Sequence, residues 1–452
     1  MHDGLSVALK ELALEVKRTI GDGISRGIIK PGYELYQRWK IDSFQYTDRG
    51  VTEYGAHGEY ITKPSWLRAA VDLRESVKKS VEYDSTLSKL TNFLCNADVA
   101  TRALDSFVGK LIDECLHNPK LEEAKIDTII KVFSDDIRQE PVKCGVEVEL
   151  LGIVLRPSKV EPLPGITLRQ IKIEDLEKER PVYGFMEDRF LPTPSAILNI
   201  EFLGRGSREL QRRVEQSIAI LRLFKVGSVK YTTYHMYSDS ITDGAHGTII
   251  AGRTESALET CLVTEEDVQK LKNFWQTMSE IMPSTFFDLE TTKTDYLTIA
   301  YNRYCDALFL NAILERRIAN AVMGLEALFL KSGELQELPY RLSFRVCKSL
   351  CLLGHDPYEI KKIVGDAYKI RNLFAHGGHL SYEQKKRIES RYKDVRNFLL
   401  PLLEYLRLSI IVMMCSGREK GELIDLIDDS FVDKKREAAL SQILSRARDI
   451  IS

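Results

Sequence analysis

Apolar positions along the chain change period twice, and the changes divide it into three regions. Leu5, Leu9, Leu12, Leu14 and Val16 recur at helical spacing among acids and lysines, predicting an amphipathic helix over residues 1–20. Residues 21–65 are punctuated irregularly by Gly, Pro and Tyr, a pattern that predicts loop with short extended pieces. Helical spacing returns in "SWLRAAVDLRESVKKSVEY" and "STLSKLTNFLCNADVATRALDSFVGKLIDECL". The first region, 1–138, therefore reads as mostly helical.

The period then shortens to two. "VKCGVEVELLGIVL", "ITLRQIKIED" and "AILNIEFLG" alternate and are rich in β-branched residues, as strands are. "VKYTTYHMYSDS" and "HGTIIAGR" predict further strands. "SRELQRRVEQSIAILRLF" predicts an amphipathic helix with a Ser cap, and "TEEDVQKLKNFWQTMSEIM" a helix with a Thr cap and an acidic first turn. Residues 139–290 thus form an α+β domain. From 295 to 452 no segment reads as strand. Five segments with apolar stripes at three- and four-residue spacing predict an all-α helical bundle. The fold class is multidomain α and α+β.

Composition narrows the setting. At 452 residues the chain is long for a single core, and 44% apolar with 29% charged residues is a globular balance. A net charge of −2 excludes a general polycation, so any nucleic-acid surface is a local patch. Eight cysteines are scattered, with no CxxC pair and no Cys/His cluster at zinc spacing. Cys347 and Cys351 fall in a helical apolar pattern, where buried free thiols are expected. A reducing, cytoplasmic setting follows. The N-terminus lacks the apolar core of a signal peptide, and the run "LRLSIIVMMC" is short for a bilayer, so no membrane association is expected.

Chemistry concentrates in "KIRNLFAHGGH", residues 369–379. Asp356 and Pro357 predict the start of its helix; Ile360, Ile363, Val364, Ala367, Ile370 and Phe374 its apolar face; Gly377 and Gly378 its stop. Asn372 and His376 are four apart and share a face. Arg371 is five from His376, which in an ideal helix separates them by about 140°. They converge only if the helix end unwinds or the Arg side chain swings round. An imidazole exchanges protons near neutral pH, a helix C-terminus favours its protonated form, and a guanidinium grips a phosphate through parallel hydrogen bonds. Arg371, Asn372 and His376 would together suit cleavage of RNA by its own 2'-hydroxyl, which needs no metal and no cofactor.

This stretch resembles the HEPN superfamily. Its nuclease signature is Arg, four to six residues, then His, often with a polar residue directly after the Arg; Arg371, Asn372 and His376 match it. "NAVMGLEALFLKSGELQELPYRLSFRVCKSLCLLG" is similar to the Apea-like branch, with Glu326, Arg341 and Arg345 at the corresponding positions. The resemblance spans about residues 295–415. It implies a metal-independent endoribonuclease acting in antiviral defence, abortive infection or as a toxin. Arg371 would contact the scissile phosphate, His376 would be the acid/base and Asn372 would support both. It also implies a homodimer or higher oligomer through the C-terminal bundle, with paired motifs facing one cleft. Some HEPN toxins carry a modifiable Tyr two residues after the His; here that residue is Gly378.

Around the motif, Glu326 is an acid in an apolar run that needs a partner if buried, with Arg371 and Arg345 as the two choices. His379 lies just past the glycines and would support phosphate binding. Residues 359–396 hold ten Lys/Arg against five Asp/Glu, a net of +5, which would attract a phosphate backbone. Lys369, Lys385, Lys386 and Arg387 are the expected RNA contacts. A solvated helix face accounts for the same run. The alternative function is a non-catalytic HEPN scaffold that binds RNA or a protein partner. Residues 139–290 show no acid/base pair and no GxGxxG or GxxxxGK[ST] fingerprint, and are expected to serve as a sensor, for instance of a phage-derived trigger. The histidines of "GAHGEY" (55–60) and "GAHGT" (244–248) sit in predicted loops without an obvious second ligand.

Overall fold

The computed structural model describes residues 3–47, 50–177, 180–181, 194–242, 247–250, 259–288, 294–309, 313–393 and 396–451. The first region contains helices α1 (Asp3–Ser25), α2 (Leu67–Val77), α3 (Val81–Leu94), α4 (Ala97–His117) and α5 (Glu123–Ile137). Leu9, Leu12 and Val16 of α1 are buried with Leu104, Phe107 and Leu111 of α4 and Phe133 of α5 in a core of their own. The Phe107 and Phe133 ring centroids lie 4.7 Å apart. Ser80 and Asn96 cap α3 and α4 by accepting from Tyr83 N and Val99 N.

The predicted loop at 21–65 is instead a long antiparallel hairpin, β1 (Gly32–Thr47) and β2 (Gly50–Ser65). Pairing runs from Gly32↔Ser65 to Thr47↔Gly50. Tyr, Trp, Ile and Phe positions suit a strand, and the Gly and Pro that suggested a loop fall mostly at its ends or on β2. His57 of "GAHGEY" is therefore a strand residue, and its Nδ1 lies 3.0 Å from Asp42 Oδ1 across the ribbon. Residues 244–246 of the second such motif lie outside the described residues.

The central region runs β3 (Val142–Leu151), β4 (Ile153–Leu155), β5 (Lys159–Leu163), β6 (Ile166–Gln170), α6 (Ile173–Leu176), β7 (Arg180–Pro181), β8 (Ala196–Gly204), α7 (Ser207–Phe224), β9 (Lys230–Ser238), β10 (Gly247–Ile250), β11 (Cys261–Val263) and α8 (Asp267–Ile281). Among the described residues, a six-stranded sheet has the order β10-β9-β3-β8-β6-β5 with every neighbour antiparallel. "VKCGVEVELLGIVL" is two strands because Gly152 interrupts it at φ +73°, where a Cβ would sit 2.3 Å from the Ser228 carbonyl oxygen. β4 then leaves the sheet and pairs in parallel with β11. The expected Ser cap of α7 is not formed: Gly206 is the N-cap and Ser207 the first helical residue.

The C-terminal region is helical throughout its described residues. It comprises α9 (Tyr296–Phe309), α10 (Leu314–Phe329), α11 (Leu338–Cys351), α12 (Pro357–Ala375), α13 (Tyr382–Tyr392), α14 (Arg396–Ser416), α15 (Lys420–Asp429) and α16 (Lys434–Ile451). The last of the five expected segments divides into α13 and α14, and two further helices follow it. Asn397–Ser416 is long and apolar enough to cross a membrane by composition, contrary to the shorter run read from sequence, but 78% of its most apolar window is buried in the fold. Phe398, Leu402, Leu406 and Ile410 show why: α14 is the core helix of the bundle.

Buried apolar residues of the central sheet and of the bundle form one continuous cluster. Arg407 of α14 fastens the junction. It is almost fully buried, pairs with Glu404, and donates to the Leu223 and Phe224 carbonyls at the C-terminus of α7. A cation there satisfies acceptors that the helix leaves open. Arg345 of α11 is a second buried clamp. It donates to both oxygens of Glu334, both oxygens of Asp428 and the Phe329 carbonyl. Cys347 and Cys351 are partly exposed rather than buried, and all eight cysteines are free.

Candidate functional site

Helix α12 begins as its sequence requires. Asp356 accepts from Tyr358 N at 2.9 Å, with Pro357 at the first helical position. Ile360, Ile363, Val364, Ala367 and Ile370 are buried, and Phe374 is half-buried. The helix ends in a Schellman-type cap. Gly378 N donates to Leu373 O at 2.9 Å and Gly377 N to Phe374 O at 3.0 Å, with Gly377 at φ +76°. His376 is the C-cap residue, exposed to solvent, and its ring has no hydrogen-bond partner among the described residues.

The helix does not unwind before this cap. His376 N still donates to Asn372 O at 3.2 Å. Helical geometry therefore keeps Arg371 about 140° round the axis from His376. The guanidinium goes the other way: Nη2 donates to Glu326 Oε2 at 3.0 Å and Nη1 to Asn372 Oδ1 at 3.1 Å. Arg371, Asn372 and Glu326 are thus brought together, while within one chain Arg371 and His376 are not.

Glu326 lies on α10, with its carboxyl side chain only 15% exposed. Of its two sequence-level partners the fold selects Arg371, because Arg345 is occupied by Glu334 and Asp428. Burial pushes the Glu326 carboxyl above its ordinary range, and Arg371 and the Tyr368 hydroxyl partly offset this. Tyr368, one turn before Arg371, was not singled out from sequence. Its ring centroid lies 5.7 Å from the Arg371 guanidinium carbon, and burial followed by the Glu326 charge raises its own pKa. Its i−3 spacing from Arg371 was the available signal.

The expected RNA-contacting residues divide. Lys386 and Arg387 are exposed on α13, which buries none of its residues. Lys385 is half-exposed, and its Nζ lies 3.9 Å from Oε1 of Glu315, a buried acid that also accepts from Leu380 N. Lys369 is open to solvent and bonds Asp366 Oδ1 at 3.2 Å. Asp366, unremarked in the sequence, is a hub: it also accepts from Arg391 at 2.7 Å and from the Tyr392 hydroxyl at 3.2 Å, fastening α13 to α12. Burial, then Asp366, pushes the Tyr392 phenol up to about 12. His379 is exposed just beyond the cap.

The site thus presents an accessible imidazole at a helix end and, round the same helix, a guanidinium aligned by a partly buried carboxylate. Compared with protein-family models, with curated proteins and with solved structures, the chain matches none.

Proposed function

We propose that the protein is a metal-independent endoribonuclease of the HEPN type. The observation that carries this reading is the placement of the Arg-x4-His motif. Its histidine is exposed at the capped end of a bundle helix, and its arginine is aligned by a partly buried acid. In the reaction the substrate's 2'-oxygen attacks the adjacent phosphorus and the bond to the 5'-oxygen breaks, leaving a 2',3'-cyclic phosphate. His376 takes the proton from the 2'-hydroxyl or gives one to the leaving 5'-oxygen. Arg371 neutralises the charge that builds on the phosphoryl oxygens, and Asn372 holds its guanidinium.

Because Arg371 and His376 diverge within one chain, the reactive site is composed between two copies that meet through the C-terminal bundle. His376 of one copy then faces Arg371 of its partner. The biological setting this implies is antiviral defence by abortive infection, with residues 139–290 sensing the trigger.

A second reading, a non-catalytic scaffold that binds RNA or protein, is favoured by the commitment of Arg371 to Glu326 and Asn372 rather than to His376. RNA cleavage in EDTA by the parent, His376→Ala and Arg371→Ala chains separates the two. The nuclease reading expects products ending in cyclic phosphate from the parent alone. Equal cleavage by all three, or binding without product, overturns it.

A further inference from the structure

We infer that the exposed face of α12 from Tyr358 to His376 is a track for the sugar–phosphate backbone of single-stranded RNA, with Gly365 as its point of closest approach. The inference rests on the reading that RNA is the substrate, and adds where the strand lies.

At 100° per residue, Tyr358, Lys361, Lys362, Gly365, Lys369 and Asn372 fall within an arc of about 100°. No acid lies in that arc. Tyr358, Lys361, Lys362 and Lys369 are exposed. Lys361 Nζ lies 4.5 Å from the Phe344 ring centroid and Lys362 Nζ 5.3 Å from that of Tyr392. Neither lysine has a carboxylate partner among the described residues. Asp366, at the edge of the arc, is already shared by Lys369, Arg391 and Tyr392.

Gly365 is the independent observation. A glycine in mid-helix destabilises the helix relative to alanine. Nothing inside the protein requires it: its backbone is ordinary helix, and a Cβ would meet only Ser343 Oγ, at 4.0 Å. The missing side chain leaves the helix surface low between Lys362 and Lys369, where Gly365 is half-buried beside α11. Such a gap lets an external backbone come close to the helix main chain. Lysines on either side of it favour a polyanion over a second copy of the same face, whose like charges would meet.

The length and flank of the track complete the picture. α12 has 19 residues and is about 28 Å long, the span of a few nucleotides. Alongside the middle of the track, Tyr340 of α11 packs at a tilt against Phe344 with centroids 4.2 Å apart, and Tyr340 is 59% exposed. The exposed tyrosine ring beside these lysines offers a face for a base. At the C-terminal end of the track stands His376.

Fluorescence anisotropy with a labelled single-stranded RNA of about ten nucleotides tests this in the full-length His376→Ala chain, which holds substrate uncleaved. Gly365→Ala is expected to raise the unfolding temperature by about 2 °C. Gly365→Leu is expected to weaken binding about tenfold or more. Lys361→Glu with Lys362→Glu is expected to do the same and to reduce the salt slope by about two. Unchanged binding in both Gly365→Leu and the lysine variant, each folded by circular dichroism, overturns the track. So does loss of oligomerisation in Gly365→Leu with RNA affinity retained, which would make this face a contact between copies. If the parent chain cleaves no RNA but binding still depends on these residues, the track stands and only the nuclease reading falls.

Discussion

Arg371 donates to Glu326 at 3.0 Å across 45 residues of sequence, turning the arginine of the motif away from the histidine that shares its helix. This contact links α10 to α12 and sets the direction of the guanidinium. Removing Arg371 leaves a mostly buried carboxylate without its cation. Arg371→Ala should cost about 1–3 kcal/mol by urea denaturation, and Glu326→Gln in the same chain should restore part of it. Purely additive single and double variants would show that the pair is not coupled.

The pH dependence has a defined sign. The folded Glu326 pKa lies above its ordinary value of 4.5, so the folded state holds this proton more tightly than the unfolded state. Its ionisation lowers stability as pH rises through the folded pKa. Without Arg371 that penalty grows. The stability gap between parent and Arg371→Ala should be small near pH 4 and largest near pH 8, in roughly the window set by this one carboxyl.

Arg345 predicts the opposite slope at low pH. It holds the Glu334 carboxyl down to about 2. That contribution is fully present above the ordinary carboxylate value of 4.5 and is lost as pH falls toward about 2. Glu334→Gln should flatten the acid limb of the stability profile. Arg345→Ala should cost about 3 kcal/mol at neutral pH, and Arg345→Lys should recover little of it, since an ammonium cannot form the two forked pairs.

Gly377 predicts a local effect on the site. At φ +76° an alanine there is strained by about 1–2 kcal/mol, and asparagine by less. Thermal unfolding should follow that order. If the ribonuclease reading is right, Gly377→Ala should also lower cleavage, because the cap that presents His376 is disturbed.

The shared core predicts cooperative unfolding. Central sheet and bundle should melt in one calorimetric transition, with Arg407→Met shifting all of it downward. Two transitions, only one of them moved, would show that the two regions fold separately.

Much of the site helix was legible in the sequence because its determinants are local. Asp356–Pro357, apolar residues at three- and four-residue spacing, and Gly377 specify the start, buried face and stop of α12 within 22 consecutive residues. The hairpin at 32–65 was not legible as such, because the glycines that accommodate a strand also signal a loop. Glu326 could be read as an acid in need of a cation. The choice of Arg371 over Arg345 depended on Glu334 and Asp428 claiming Arg345 first, a competition among residues far apart in the chain. Short-range periodicity and capping thus determined the helix, its exposed histidine and its lysine-lined face. Only the packing of α10 and α11 against α12 decided where the arginine points, because that depends on which buried charges each helix brings within reach.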